Sequence, residues 1–266
     1  MLRNKGSTRS IDNVVSALKR ACVLSKDNWL DKTDELKLKA LIAQWKLEDV
    51  TPSRRKRALR MVELKRMMDQ SDLTDLVQLL KITMLASGHD GLLRSSEVLS
   101  GIRVVQILWR VDKEGFRLEL PRSKMNRSGD SEFISFHDYG ECSGAHLMRR
   151  WFDQNHLWGR LDSMVFPAVT RSGRLNFGKS PSYSWWRKVI KVKCKEIGLD
   201  DKLYSGHSLR AGGATDLFVA KVPYYIIKKM GRWKSEAAML YYRCEEDVET
   251  SVAAAFSSLF ELYKQE

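Results

Sequence analysis

The chain has 266 residues, which is enough for one large domain or for a medium domain with a small companion, and 43% of them are hydrophobic, enough for a buried core. Lysine and arginine together number 46 against 33 aspartates and glutamates, and the net charge of +13 indicates a polyanionic partner: DNA, RNA or an anionic membrane surface. The N-terminus lacks an apolar signal region and no run approaches the roughly 20 apolar residues of a membrane span, so we expect a soluble, intracellular protein.

The four cysteines are far apart in the sequence. None of them has the Cys-x-x-Cys or Cys/His spacing of a zinc site, and they do not form the dense pattern of a disulfide framework. We therefore expect reduced, structural cysteines, no metal and no cofactor. The four are Cys22, Cys142, Cys194 and Cys244.

The first 50 residues predict a helical pair. Apolar positions recur at helical spacing from Ile11 to about Leu24 and from Asp34 to about Trp45. The pair is too short to be a whole domain. The polar, basic range 51–57 follows, and because Pro52 disfavours helix before it, we interpret this range as a linker.

The basic run inside this linker is a candidate DNA contact. It consists of Arg54, Arg55, Lys56 and Arg57. A nuclear localisation signal or a merely solvated run are the alternatives that the sequence leaves open.

Helical patterns resume after the linker. One helix carries apolar residues from Leu59 to Met68, and another runs from about Leu73 to Ala86 and is predicted to end at the turn 87–91. The next helix should span Leu92 to Leu99, which would place Arg94 and Glu97, three residues apart, on one face.

Between residues 102 and 137 the periodicity changes to that of strands. The segments Val104 to Val111, Phe116 to Leu120 and Phe133 to Phe136 are short, rich in β-formers and separated by turn residues, which predicts a three-stranded antiparallel sheet. Lys124 lies just past the second strand, and Arg122 beside it is a further candidate DNA contact.

The remainder of the chain again has helical patterns. They run from Leu147 to about Asn155, Tyr183 to about Ile197, Ala211 to about Ala220, Tyr224 to about Met230, Ser235 to Arg243 and about Asp247 to Tyr263. In the second of these, the cations Arg187, Lys188, Lys191, Lys193 and Lys195 could follow a DNA backbone.

Four short motifs carry the chemical signal. They are Gly91-Leu-Leu-Arg-Ser-Ser-Glu97, Ser205-Gly-His-Ser-Leu-Arg210, Met230-Gly-Arg-Trp233 and Tyr241-Tyr242-Arg243. Arg210 and Trp233 are 23 positions apart, and Trp233 and Tyr242 are nine apart. In this order and spacing, Arg94, His207, Arg210, Trp233 and Tyr242, with Lys124, resemble the active-site set of the tyrosine recombinases, also called the phage integrase family. The match is nearest to the Cre-type members, which have tryptophan where histidine is commoner.

The residue types suit phosphodiester chemistry. Attack by a phenol on a phosphodiester builds negative charge on the non-bridging oxygens, which the planar, permanently charged guanidinium groups of Arg94 and Arg210 would stabilise. Tyrosine has a pKa of about 10 and needs a proton acceptor; His207 can accept a proton, whereas the Trp233 indole only donates. Tyr241 competes with Tyr242 for the nucleophile, and the nine-residue spacing favours Tyr242.

The resemblance implies the remaining roles. It makes Lys124 the general acid that protonates the departing 5′ oxygen, Glu97 the acid that orients the histidine and arginines, and the product a covalent 3′-phosphotyrosine formed without metal or ATP. The implied activity is that of a site-specific recombinase or integrase of a mobile element, acting as a tetramer on double-stranded DNA in the nucleus of a eukaryote or the cytoplasm or nucleoid of a bacterium or phage host. A type IB topoisomerase-like relaxase and a domesticated, non-catalytic DNA-binding protein are the alternatives.

The predicted fold is mainly α (α+β): a tyrosine-recombinase-like catalytic domain with a small antiparallel sheet, preceded by a short helical segment. We assign residues 1–50 to part of a helical, DNA-binding core-binding segment, 51–57 to the linker, 58–246 to the catalytic domain and 247–266 to a C-terminal helix. That last helix has an apolar stripe that either packs on its own domain or is exchanged between protomers. No membrane partner and no small-molecule cofactor are expected.

Overall fold

The computed structural model describes residues 11–25, 30–48, 56–120 and 132–233. The chain divides into two compact units, Met1–Arg54 and Arg55–Glu266. The division falls within the range 51–57 that the sequence analysis assigns to a linker. Among the described residues, no helix has the length and apolar character needed to cross a membrane.

The described part of the first unit contains two helices, α1 (Ile11–Ser25) and α2 (Lys32–Glu48). The Asp31 carboxylate accepts a hydrogen bond of 2.8 Å from the backbone N–H of Asp34, and this cap explains why α2 begins two residues before its apolar pattern does. Lys19 in α1 and Glu35 in α2 form an ion pair of 3.0 Å. Both predicted helices are therefore present.

The described part of the second unit is built of helices with two small sheets. Its helices are α3 (Met61–Asp69), α4 (Leu76–Asp90), α5 (Ser95–Val98), α6 (Gly144–Gln154), α7 (Tyr183–Glu196), α8 (Gly206–Val219) and α9 (Tyr224–Met230). Helix α4 packs against α6 and α8, and its residues Leu79, Leu80 and Met84 are fully inaccessible to solvent. The core is thus centred on α4, which supports α8 and the site residues that α8 carries.

Helix α4 is longer than the sequence predicts. The Ser-Gly-His-Asp run was expected to form a turn, but the helix continues through it to Asp90. Leu209 of α8 packs against Gly88, where an added Cβ would lie 3.1 Å from the leucine side chain. Gly88 therefore allows α4 and α8 to pack closely, and its turn propensity alone does not predict this.

The predicted three-stranded antiparallel sheet is confirmed. Its strands are β1 (Ile107–Trp109), β2 (Gly115–Leu120) and β3 (Glu132–His137), hydrogen-bonded in that order. Phe116 pairs with Phe136 across β2 and β3, and their rings stack with centroids 4.5 Å apart. The first strand is shorter than predicted because residues 104–106 form a 3₁₀ turn.

A second sheet pairs β4 (Ala168–Val169) with β5 (Leu175–Asn176). No sequence pattern predicts this sheet, since two-residue strands are too short to show a period of two. The predicted helix 211–220 is also corrected, because α8 begins at Gly206 and thereby places His207 and Arg210 in its first turns.

Candidate active site

Arg94 and Glu97 are joined by a helix N-cap interaction and do not share a helix face as predicted. Arg94 is the N-cap residue of the four-residue helix α5, and its backbone N–H donates a bond of 2.7 Å to Oε2 of Glu97. Its guanidinium Nη1 donates to Oε1 of the same carboxylate at 2.5 Å. The predicted helix from Leu92 is wrong at its start, since Leu92 has a φ of +46°, in the left-handed region. Glu97 thus holds both the backbone and the side chain of Arg94, whose side chain remains 41% exposed.

The start of α8 lies directly against α5. An added Cβ on Gly206 would collide with Oγ of Ser95, so the glycine allows the two helices to approach this closely. His207, the next residue, is exposed in the first turn of α8. This packing places Gly206, the residue before His207, against Ser95, the residue after Arg94. The backbone N–H groups at the N-terminus of a helix also favour negative charge nearby.

Arg210 lies deep inside the second unit and is 2% exposed. Its Nη1 donates to the backbone carbonyl of Leu92 at 2.5 Å, and its Nη2 donates to the backbone carbonyl of Gly231. These bonds connect the segment before Arg94 with the segment before Trp233. The buried guanidinium therefore joins two of the four sequence motifs.

Trp233 covers the Arg210 guanidinium. The Arg210 Cζ lies 4.3 Å from the centroid of the Trp233 ring, within the range of a cation–π interaction. The ring packs on Gly231, where any Cβ would collide with it. In this structure Trp233 is thus a partner of Arg210.

Arg232, between the glycine and tryptophan of the third motif, is a site residue that the sequence analysis did not identify. Its Nη2 donates to Oε2 of Glu97 at 2.7 Å and its side chain is 8% exposed. Burial lowers the pKa of Arg232 below its ordinary value; Glu97 opposes this lowering, and the positive charge of Arg94 adds to it. The sequence offers one sign of this role, which is that Arg232 is a cation inside a motif. Its left-handed φ of +57°, which turns the side chain inward, cannot be predicted from the sequence.

A buried histidine lies behind the site. His89 at the end of α4 has Nδ1 2.9 Å from Oδ1 of Asp90 and Nε2 2.9 Å from Oδ2 of Asp216 in α8. Burial lowers its pKa, but the hydrogen bonds and charges of Asp216 and Asp90 outweigh burial and raise the pKa to about 9. His89 is therefore an imidazolium at neutral pH, and it ties α4 to α8.

Several predicted site residues lie outside the described residues. They are the predicted general acid Lys124, the nucleophile Tyr242 with its competitor Tyr241, the DNA contacts Arg54, Arg55 and Arg122, and the helix 247–266. Of the linker cations, Lys56 donates from Nζ to the backbone carbonyl of Lys202 at 2.5 Å, and Arg57 is exposed.

The predicted cationic face of α7 is wrong for Lys193. Lys193 is 2% exposed, and its ammonium group donates to Oγ of Ser71 at 2.8 Å and pairs with Glu196 at 2.7 Å. Lys191 is paired with Asp201 at 2.9 Å. A long lysine stem can follow apolar surface into a protein, so a charge on a helix need not face solvent.

Across the described residues, no group of three or more His, Cys, Asp or Glu side chains is arranged to hold a metal ion. The charged groups that do converge are guanidinium groups and one carboxylate, from Arg94, Arg210, Arg232 and Glu97. Guanidinium groups bind phosphate oxygens and do not ligate cations.

Comparison of the fold with solved structures identifies its architecture. The XerA recombinase has 16% sequence identity and a TM-score of 0.55 over 95% of this chain and 84% of that chain. The Tn1549 transposon integrase in complex with transposon right end DNA has 14% identity and a TM-score of 0.56 over 96% and 81%. The chain has the fold of the tyrosine recombinases.

A third similar structure is the XerH site-specific recombinase bound to palindromic difH substrate in a post-cleavage complex, with 11% identity and a TM-score of 0.54. The match covers 77% of this chain and 53% of that one, so the chain spans about half the length of the XerH recombinase. No protein-family model and no curated protein sequence matches the chain. The tyrosine-recombinase-like fold predicted from the four motifs is thus confirmed through structure.

Proposed function

We propose that this protein is a site-specific DNA recombinase or integrase that cleaves and rejoins strands through a covalent 3′-phosphotyrosine, without metal or ATP. The observation that carries the proposal is that Arg94 and Arg210, from motifs far apart in sequence, are fixed on one backbone segment within a recombinase fold: Arg94 follows Leu92 by two residues, and Arg210 binds the Leu92 carbonyl. The net charge of +13 and the DNA-bound state of the XerH and Tn1549 proteins agree with a DNA substrate.

In the proposed reaction, the Tyr242 oxygen attacks the phosphorus and forms the phosphotyrosine bond while the bond to the 5′ oxygen breaks. His207 accepts the phenol proton and Lys124 donates a proton to the departing 5′ oxygen. The exposed face of Arg94 stabilises charge on the non-bridging oxygens, and Trp233 donates its indole N–H to one of them. Attack by the 5′ hydroxyl on the phosphotyrosine reverses these steps, so religation needs no external energy source.

Arg210 needs a rearrangement before it can join this reaction. Because its side chain is 2% exposed, a phosphate can reach the guanidinium only after the groups that cover it move. The Trp233 ring is one of those groups. We therefore expect DNA binding to displace Trp233 from Arg210 and to turn the indole towards the phosphate.

Double-stranded DNA and further copies of the protein are the proposed partners. Exchange between two duplexes needs four active sites, hence a tetramer on DNA, and the range 247–266 is the segment that we propose to pass between protomers. The linker cations Arg54, Arg55, Lys56 and Arg57, with Arg122, are proposed to contact the DNA backbone.

A second candidate is a DNA-binding protein that keeps the fold without cleavage. The burial of Arg210, with both Nη atoms bonded to backbone carbonyls, favours this candidate, because in this state the residue serves the fold. The two candidates differ in one observable, which is a covalent protein–DNA adduct.

The test uses nicked duplexes taken from DNA flanking the gene, on which cleavage releases a short fragment and traps the adduct. We expect an adduct with the native protein and with Tyr241→Phe. Tyr242→Phe should bind the same DNA without forming one. Binding without an adduct by the native protein would support the non-catalytic candidate, and relaxation of supercoiled DNA without strand exchange would indicate a type IB topoisomerase-like enzyme.

A further inference from the structure

Arg232 has a set of contacts that no catalytic role assigned above explains. Its Nη1 donates to the carbonyls of Met230 at 2.8 Å and Gly91 at 3.3 Å, while its Nη2 donates to the Leu92 carbonyl at 3.2 Å and to Glu97 at 2.7 Å. Each Nη of a guanidinium has two N–H donors, so these four bonds use all of them.

The remaining donor of Arg232 does not face a ligand. Among the described residues, its buried Nε has no hydrogen-bond partner, and Oε1 of Glu132 lies 4.0 Å from it. With a side chain only 8% exposed, Arg232 has no donor at the surface for a phosphate. Direct binding of DNA therefore does not account for this residue.

The contacts instead converge on the carboxylate that holds Arg94. Oε2 of Glu97 accepts from Nη2 of Arg232 and from the backbone N–H of Arg94, both at 2.7 Å, and Oε1 accepts from the Arg94 guanidinium. Arg232 thus fixes the carboxylate from the buried side, while Arg94 meets it from the exposed side. Charge-assisted bonds of this kind are short and directional.

We propose that Arg232 is a positioning residue that fixes Glu97 and, through it, sets the Arg94 guanidinium against the phosphate. This inference rests on the proposed function for its catalytic consequence. A lysine would not replace Arg232, because its ammonium is a single point of charge that cannot reach Glu97 and the three carbonyls at once.

The first test does not depend on activity. The Arg94 amide N–H is bonded to Glu97, so its hydrogen exchange reports whether the carboxylate stays in place. In Arg232→Met we expect this amide to exchange at least tenfold faster, while the Leu147 amide in α6 keeps its native rate. Arg150→Met is the matched control, since Arg150 is half-buried and donates to the Leu73 carbonyl away from the site, and it should leave the Arg94 amide unchanged.

An Arg94 amide that exchanges within twofold of the native rate in Arg232→Met would overturn the proposal. If Arg232→Met does not fold, Arg232→Lys is used in its place. The hydrogen exchange rate of the Arg94 amide is measured again, and the same twofold limit applies.

The second test asks whether Arg232 acts through Arg94. We expect Arg232→Met and Arg94→Met each to slow adduct formation on the nicked DNA at least tenfold. The double variant should be within about twofold of Arg94→Met alone, because a residue that acts through another adds nothing once the other is gone. Losses that multiply in the double variant would mean that Arg232 acts independently. If the native protein forms no adduct on any DNA, the proposed function fails, and the amide exchange still decides the positioning role.

Discussion

The His89 imidazole in α4 donates from Nε2 to Oδ2 of Asp216 in α8 across 2.9 Å, and its other nitrogen contacts Asp90. Both carboxylates have further partners: Asp216 accepts from Arg60 at 2.7 Å, and Asp90 accepts from the Tyr139 hydroxyl at 2.8 Å. A buried cation is thus shared by two carboxylates that are themselves fixed. This arrangement holds together the two helices whose ends position Arg94 and Arg210.

The first prediction is a loss of stability at alkaline pH that depends on His89. The folded-state pKa of about 9 lies above the ordinary value of 6.5, so the charged histidine stabilises the folded state fully below about pH 6.5. This contribution, roughly 3 kcal/mol, should fall as pH rises from 6.5 and be lost above pH 9. Urea unfolding at several pH values measures it.

His89→Gln is the test variant. His137→Gln is its control, because His137 is an exposed histidine of β3. The first should remove most of the change in the free energy of unfolding between pH 6.5 and 9, and the second should leave it as in the native protein. If His89→Gln keeps the native pH dependence, the shared-cation interpretation is wrong.

The second prediction is that Arg210 supports the fold as well as the site. Replacing it with methionine removes the Arg210 donor from the buried carbonyl of Gly231, and it leaves the Leu92 carbonyl with its longer bond of 3.2 Å from Arg232; an unsatisfied buried group costs about 1–3 kcal/mol. We expect Arg210→Met to lower the free energy of unfolding by about 1–3 kcal/mol in urea titrations. Arg187→Met, at an exposed position of α7, should change it by less than about 0.5 kcal/mol.

The third prediction concerns the contact between α5 and α8. In Gly206→Ala the new methyl group collides with Ser95 Oγ, which should cost about 1–3 kcal/mol and separate His207 from Arg94. Adding Ser95→Ala removes the Oγ and leaves Ser95 Cβ 3.0 Å from the new methyl, so part of the stability and of the DNA cleavage rate should return. A double variant no better than Gly206→Ala would show that the collision is not the cause.

The fourth prediction tests the proposed general acid. Lys124→Ala should slow cleavage of ordinary DNA, but a substrate with sulfur at the 5′ bridging position should be cleaved at nearly the native rate, because a thiolate leaves without a proton. Arg94→Met should show no such rescue, since Arg94 stabilises charge on non-bridging oxygens. Equal rescue of both variants would assign the acid to another residue.

The fifth prediction concerns the linker. Binding to duplex DNA should weaken with salt with a log–log slope of about −0.9 for each phosphate neutralised. Reversing the charges of Arg54, Arg55 and Arg57 should make the slope shallower by about two to three, as measured by fluorescence anisotropy. Unchanged slope and affinity would mean that these cations are merely solvated.

Elements with strong local signals could be predicted from the residues alone. The alternation in residues 116–120 and 133–136 predicted the antiparallel sheet, since turn residues and β-formers act locally. The spacing of Arg94, His207, Arg210 and Trp233 indicated the tyrosine-recombinase-like fold, which the similarity to solved structures confirms. Lys124 and Tyr242, which lie outside the described residues, stay predictions.

Tertiary packing decided the rest. Helix α4 runs through Gly88 because Leu209 packs there, and Lys193 is buried because Ser71 and Glu196 provide partners. Arg232 lies inside because a left-handed backbone turns it towards Glu97, 135 positions away in the sequence. None of these outcomes has a local signal in the sequence, because each depends on a contact that forms only in the folded chain. Burial of a charged side chain is favourable only where an ion-pair or hydrogen-bond partner is present.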